Sequence, residues 1–217
     1  TTASALISNI NGQIAGDTVV VSAPTLANTS GRLDAKTALT LTSGNIVGDG
    51  TLAATGPLTM NLEGNYTNTG TVASQGNLNI NIAGGTYTNN GIVSATNDFT
   101  LNAAGLENNN SINAGDKLTL NVGTLVNATT GSINAGAITT INGSVENFGR
   151  IYGGAINLNG TINNQVGASI ASRGDFSMTG SLVNKANGEI LSLGHMSLGN
   201  VVNAGGNINA GGNLSIG

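Results

Sequence analysis

Residues 106–120 read LENNNSINAGDKLTL, and this stretch decides the fold. It contains an apolar-x-Asn triplet ending at Asn108, then a turn rich in Asn and Gly, then the alternating segment Leu118-Thr119-Leu120. Apolar and polar residues that alternate with period two are typical of a half-buried β-strand. Gly and Asn tolerate the positive φ angles that tight corners require. The stretch therefore predicts short strands joined by tight corners.

The same pattern recurs along the whole chain at intervals of about 19–20 residues, a period that marks solenoids. A degenerate copy is expected near Gly48, where Ile46 and Leu52 keep the surrounding pattern. No stretch has apolar residues at helical spacing, and the frequent Gly is unfavourable in helices. The Asn of each triplet falls at Asn9, Asn28, Asn68, Asn89, Asn108, Asn127, Asn147, Asn164, Asn184 and Asn203.

The repeat predicts one all-β domain over residues 1–217, a right-handed single-stranded parallel β-helix of about eleven coils. Strands of successive coils would pair at ~4.8 Å, which gives a rod of about 50 Å. Whether each coil has two or three strands stays open. Because the first and last copies are both in full pattern, we expect a segment of a longer array. Equivalent residues should stack, so an inward ladder is expected from Leu39, Leu58, Leu78, Phe99 and Leu118.

The triplet Asn residues are expected to form a structural ladder at one corner. Each side-chain amide can donate to one neighbour along the stack and accept from the other. An isolated buried Asn would instead leave polar groups unsatisfied, at a cost of ~1–3 kcal/mol each.

The composition excludes several classes of protein. Charged residues make up 7% of the chain and aromatic residues 3%, which suits a long, thin core of Val, Ile and Leu. Without cysteine there is neither a disulfide framework nor a Cys metal site. A nucleic-acid partner is disfavoured, because the six Lys and Arg are scattered and the net charge is -4. Membrane insertion is not expected, because no apolar run is long enough to cross a bilayer. The one histidine, His195, lies in a turn and is expected to have no role.

The succession Leu106-x-Asn108, Ile112-x-Ala114-Gly115 and Leu118-x-Leu120 resembles the haemagglutinin repeats of filamentous haemagglutinin-type exoproteins. These two-partner-secretion proteins include adhesins and the toxin-delivery filaments of contact-dependent growth inhibition. The resemblance implies a right-handed β-helix at the bacterial cell surface. It also implies an outer-membrane transporter as partner during export, and a receptor or glycan on a host or target cell as partner of an adhesive region.

The expected function is therefore that of a structural shaft in a very large secreted surface filament, which presents a distal adhesive or toxin-delivery region. An alternative is a carbohydrate-binding face that acts directly in adhesion. The outward positions of the alternating strand would form its glycan-facing ladder, which comprises Thr40, Thr59, Asn79, Thr100 and Thr119, continued by Asn157, Ser177 and Ser197.

A third alternative, a solenoid polysaccharide lyase or hydrolase, would need clustered carboxylates. Glu107 and Glu146 share one position of the repeat, but they are two coils apart with Val126 between them. Asp98 aligns with Lys117, and an exposed ion pair is expected there. The calcium-binding nonapeptide of another β-roll family is absent. The sequence thus predicts no enzyme, no catalytic residue, no metal site and no cofactor.

Overall fold

The computed structural model describes residues 6–217, which form a parallel β-solenoid of about eleven turns. Each turn contains three short strand segments, for example 111–114, 118–122 and 124–127. We name the three corresponding sides of the solenoid face A, face B and face C, in their order along each coil. No α-helix occurs within residues 6–217. The predicted all-β parallel coil is confirmed, and its right-handed winding stays a prediction that rests on the preference of parallel crossovers.

Some strands continue around a corner, so one strand can contribute to two or three faces. β2 and β3 each cover all three faces, whereas β12 lies on face A alone. The strands are β1 (Leu6–Ser8), β2 (Gln13–Ala27), β3 (Arg32–Val47), β4 (Thr51–Ala54), β5 (Leu58–Glu63), β6 (Tyr66–Asn68), β7 (Thr71–Ser74), β8 (Leu78–Ala83), β9 (Thr86–Asn89), β10 (Ile92–Ala95), β11 (Phe99–Asn108), β12 (Ser111–Ala114), β13 (Lys117–Asn127), β14 (Ser132–Ala135), β15 (Ile138–Asn147), β16 (Arg150–Gly153), β17 (Ala155–Asn164), β18 (Ser169–Ser172), β19 (Phe176–Asn184), β20 (Glu189–Ser192), β21 (Met196–Leu198), β22 (Asn200–Asn203), β23 (Asn207–Ala210) and β24 (Leu214–Ile216).

Neighbouring coils are joined by parallel pairing of equivalent segments into one 24-stranded sheet. Ile112 pairs with Ile133 on face A, and Asn108 pairs with Asn127 at the end of face C. The coils differ in length, since equivalent Asn residues lie between 17 and 21 positions apart. The difference is absorbed at corners, for example where the pairing of β13 with β15 shifts between 121 and 124. The faces therefore keep their register although the coils vary in length.

The core is a narrow column of stacked apolar side chains between the three faces. Face A contributes an inward row of branched residues, namely Leu33, Leu52, Val72, Val93, Ile112, Ile133, Ile151, Ile170 and Ile190. The inward ladder predicted for face B is confirmed, since its members stack in register and are at most 1% exposed: Leu39, Leu58, Leu78, Phe99 and Leu118.

At the corner between faces A and B, the coils that have a glycine approach the preceding coil very closely. A Cβ atom on Gly115 would lie 1.9 Å from the carbonyl oxygen of Thr96 in the preceding coil. The buried residues just before this corner are small as well, among them Ala95, Ala114 and Ala135. The short distance between adjacent backbones therefore explains the Ala-Gly pairs at 114–115 and 135–136, whereas other coils have a larger residue such as Thr96 at the position of the Gly.

A pair of adjacent substitutions tests this assignment of inward and outward positions. Leu118→Ala removes a fully buried side chain from the face B ladder, so we expect the free energy of unfolding to fall by about 2–5 kcal/mol. Thr119→Ala, at the outward position next to it, should change it by less than about 1 kcal/mol. Denaturant unfolding followed by circular dichroism measures both, and equal effects would contradict the register.

Candidate functional site

The triplet Asn residues form a column of buried side-chain amides along the corner between faces C and A, which we call the inner amide ladder. The Nδ2 of each Asn donates to the Oδ1 of its equivalent in the next coil at 2.8–3.0 Å, and every link points toward the C-terminus. The linked residues are Asn9 with Asn28, and then Asn68, Asn89, Asn108, Asn127, Asn147, Asn164, Asn184 and Asn203 in one continuous run. All except Asn203 are buried.

The same amides also bind backbone at the corner. Asn89 Nδ2 donates to the carbonyl oxygen of Ser111 at 3.2 Å, and Asn127 Nδ2 makes the equivalent contact with Arg150 at 3.2 Å. Each side chain thus uses its two N–H groups on the following coil, one on an amide and one on a carbonyl. A buried polar column is tolerable in this solenoid because its donors and acceptors are satisfied by one another.

The inner amide ladder is interrupted at one position. Gly48, which has a positive φ of 111°, occupies the place of the missing Asn between Asn28 and Asn68. Asn28 Nδ2 consequently donates only to the carbonyl oxygen of Thr51, at 3.4 Å. Asn68 Oδ1 accepts from the backbone N–H of Gly70 instead. The two junctions on either side of Gly48 are therefore held by backbone pairing without an amide link.

A stacked pair of tyrosines lies inside face C just after this interruption. The rings of Tyr66 and Tyr87 are 5.5 Å apart between centroids and nearly parallel. Burial raises the pKa of Tyr66 and that of Tyr87 well above the ordinary value. Tyr66 raises the pKa of Tyr87 further, and the Asn68 side chain opposes that rise. Both phenols are therefore neutral members of the core rather than surface groups.

The outward residues proposed as a glycan-facing ladder lie in one row on face B. Thr40 pairs with Thr59, and the row continues in register through Asn79, Thr100 and Thr119. These side chains are half-buried. Farther along, the same row includes Asn157, Ser177 and Ser197, of which the two serines are exposed.

A second outward row on face B went unnoticed at the level of sequence. In it, the Nδ2 of each Asn donates to the Oδ1 of the preceding coil at 2.6–3.0 Å, opposite in direction to the inner amide ladder. The signal that could have found it is the Asn that recurs three residues after the first inward residue of the alternating segment, as in Leu58 to Asn61. We call this row the outer amide row; it comprises Asn61, Asn81, Asn102, Asn121, Asn142 and Asn159.

The side chains just before face B accept backbone N–H groups of the next coil. Asp98 aligns with Lys117 as expected, but its Oδ1 accepts the backbone N–H of Lys117 at 3.1 Å, and the expected ion pair does not form. Asp175 Oδ1 accepts from the backbone of His195 at 2.8 Å in the same way. His195 Nδ1 in turn accepts from the backbone of Asn213 at 2.9 Å, so this histidine has a structural contact that the sequence did not predict.

The carboxylates of the chain are dispersed rather than clustered. Glu107 and Glu146 share one row with Val126 between them, as the repeat predicts. Glu146 accepts from the side-chain amides of Asn163 and Gln165. Within residues 6–217 no group of three or more His, Asp or Glu could hold a metal ion. No acid–base pair of the kind that glycoside cleavage uses is assembled in the part of the chain that the structure describes.

Face A carries two open grooves. The first has a volume of about 480 Å³ and a floor of small residues that includes Ala53 and Ala73. Arg32 at its edge forms an ion pair with Asp34. The second has a volume of about 290 Å³ and lies over later coils, where Tyr152 and Arg173 line it together with aliphatic side chains.

Residues 2–85 match the haemagglutinin repeat family. This match and the β-solenoid together fit a segment of filamentous haemagglutinin-type repeats. The matched part ends in the coil that contains β7 to β9, and the later coils continue in the same register, with the same apolar rows and the same amide ladder. No curated protein and no solved structure matches the chain.

Haemagglutinin repeats are typically structural and adhesive elements, and proteins that contain them are generally secreted or displayed at the cell surface. In this segment the side-chain amides of the inner amide ladder form hydrogen bonds with neighbouring coils, so their role is to hold the coils together. Among the described residues there is no helix that is long and apolar enough to cross a membrane.

Matched substitutions in the two amide columns test the structural role of the inner one. Asn127→Ala leaves the Nδ2 of Asn108 and the Oδ1 of Asn147 without their buried partners, so we expect unfolding to become easier by at least about 3 kcal/mol. Asn102→Ala breaks the equivalent links at an exposed member of the outer amide row and should cost less than about 1 kcal/mol. Denaturant unfolding measures the free energy of unfolding of both variants. Similar decreases in the two would show that burial does not determine how much an amide link stabilises the solenoid.

Proposed function

We propose that this segment is part of the structural shaft of a very large secreted bacterial surface filament, which presents a distal adhesive or toxin-delivery region to other cells. The observation that carries the proposal is the uniformity of the coil interfaces. Apart from Gly48, each coil offers the next one the same apolar rows and the same amide donor. Stacking of such units sets distance along one axis, at ~4.8 Å per coil.

A shaft needs rigidity rather than a reactive centre, and the residues present suit that role. The groups that are polar and buried are mostly amides and hydroxyls with partners in adjacent coils. The carboxylates lie apart, and the two grooves of face A are open to solvent. We infer from this arrangement that the segment itself has no enzymatic activity and uses no cofactor.

Export through a two-partner-secretion transporter of the outer membrane is part of the proposal, with a secreted or cell-surface location as its result. A chain without cysteine can pass through a pore unfolded with no disulfide to rearrange. Because all links of the inner amide ladder point the same way, each folded coil except that of Gly48 presents side-chain N–H donors to the coil that emerges after it. Folding outside the cell could then proceed coil by coil and draw the chain outward.

A second candidate function is direct adhesion through the outward row of face B. The observation in its favour is the regular spacing of hydroxyl and amide groups from Thr40 to Thr119, one per coil. Such a row would present repeated hydrogen-bonding groups to a glycan or receptor on a host or target cell.

The export mechanism is tested by a charge placed inside one coil. Val72 is fully buried, and Val72→Asp should stall secretion of the full-length protein because an unpaired carboxylate in the core prevents that coil from folding. Thr71→Asp, at the half-buried outward position beside it, serves as the control and should be secreted normally. Secretion is measured as the fraction of protein outside cells that also produce the transporter. Normal secretion of the Val72→Asp protein would refute the coupling of folding to export.

The shaft function is tested by deletions in the full-length protein. Removing residues 92–110 takes out one coil and places Ser111 where Ile92 stood, so secretion and the activity of the distal region should be retained. Removing only residues 92–101 brings unlike segments together and should abolish both secretion and the distal activity. Loss of the distal activity after the one-coil deletion, with secretion intact, would indicate that the coil acts as more than a spacer.

A further inference from the structure

We propose that face A carries a binding site for a single acidic sugar residue, formed by Tyr152, Arg173 and the short side chain of Ala171 between Tyr152 and Leu191. The site goes beyond the shaft function and does not depend on it. It also differs from the outward row of face B, because it lies on another side of the solenoid and draws on apolar and cationic groups.

The depression arises from one row of face A. Tyr152 pairs with Ala171, which pairs with Leu191, so one small residue lies between two large ones. The strands that carry Tyr152 and Leu191 are two coil spacings apart, or ~9.6 Å. A flat ring placed over Ala171 would then have an apolar side chain on each side. Leu193, which is 62% exposed, lines the same groove.

Two aromatic side chains reach the surface of the described solenoid: Phe148, at the corner between faces C and A, and Tyr152, which is the one that lines a groove of face A. Tyr66 and Tyr87 are buried in the stack inside face C, and Phe99 and Phe176 belong to the core. A tyrosine ring combines an apolar surface with a polar tip, which suits the mixed apolar and hydroxyl character of a sugar.

The charge at the groove favours an anionic ligand. Arg173 lines it, and its Nη2 donates to the carbonyl oxygen of Gly136 at 3.0 Å, which holds the guanidinium across the corner. Arg150 lies on the same outward side of β16 as Tyr152. The ion pairs found within residues 6–217 involve neither arginine. A guanidinium has five N–H donors in a fork that matches a carboxylate, so Arg173 retains donors for a sugar acid.

The other groove of face A lacks these features. Its arginine, Arg32, is already paired with Asp34, and Lys36 is paired with Asp17 at 3.2 Å. Its floor is formed by side chains such as Ala53 and has no aromatic residue. The Tyr152 groove is also the smaller of the two. Its volume of 290 Å³ is just below the ~300–1,000 Å³ range of small-molecule sites, which fits one sugar ring rather than a long chain.

The test compares acidic sugars with an uncharged counterpart. Titration of the purified segment with methyl β-D-glucuronide or with N-acetylneuraminic acid is followed by ligand-observed NMR and by tyrosine fluorescence, since the chain has three tyrosines and no tryptophan. At least one acid should bind about tenfold more tightly than methyl β-D-glucoside, because the carboxylate accepts charge-assisted hydrogen bonds. Preference for one acid identifies the sugar class. Binding of neither acid, or equal binding of the glucoside, overturns the proposal.

Variants locate the binding site. Tyr152→Ser and Arg173→Gln should each weaken binding at least tenfold, whereas Arg32→Gln in the other groove should leave it unchanged. Ala171→Leu fills the depression without altering any polar group, and Leu191 in the same row indicates that face A accommodates this side chain. The Ala171→Leu protein should keep its circular dichroism spectrum and lose binding. Undiminished binding by a folded Ala171→Leu protein would refute the site.

Discussion

The structure depends on one constraint: each residue of a coil lies beside its own equivalent in the next coil. Parallel pairing in register imposes this at a spacing of ~4.8 Å, so a side chain must be compatible with its own kind. Apolar residues satisfy the condition by packing, and Asn satisfies it because an amide both donates and accepts. Charged residues fail it, since like charges stacked at this spacing repel. The low content of charged residues, 7% of the chain, follows directly. Where a charge does occur, its neighbour in the row differs, as with Val126 between Glu107 and Glu146.

The features that obey this constraint were those that could be predicted from the sequence. A residue that must stack on its equivalent recurs in the sequence with the period of the coil. The inward ladder through Leu78 and the Asn residues of the inner amide ladder both recur in this way. Even the interruption at Gly48 is visible, because the apolar residues around it keep their spacing. The number of strands per coil was not visible. β11 continues around the corner between faces B and C without a turn-forming break, so the segment reads as one strand although it belongs to two faces.

The features that remained hidden depend on contacts that the recurrence of a residue type does not indicate. Arg173 reaches the carbonyl oxygen of Gly136, which lies at the equivalent corner position two coils earlier. This position is Gly in the two preceding coils, so no recurring residue type indicates the contact. His195 and Asp98 have side chains that accept backbone N–H groups, which a comparison of side-chain types alone does not anticipate. The groove at Tyr152 likewise results from unlike residues in one row, and such a row carries no periodic signal.

The two amide columns have opposite directions, and this has an electrostatic consequence. Side-chain amides aligned head to tail add their dipoles, as peptide units do in a helix. In the inner amide ladder the N–H groups point toward the C-terminus, and in the outer amide row they point toward the N-terminus. The two side-chain dipoles therefore oppose each other over the coils that contain both columns, while the strands of a sheet add little dipole of their own. A solenoid built in this way can be lengthened without accumulating opposite partial charges at its two ends.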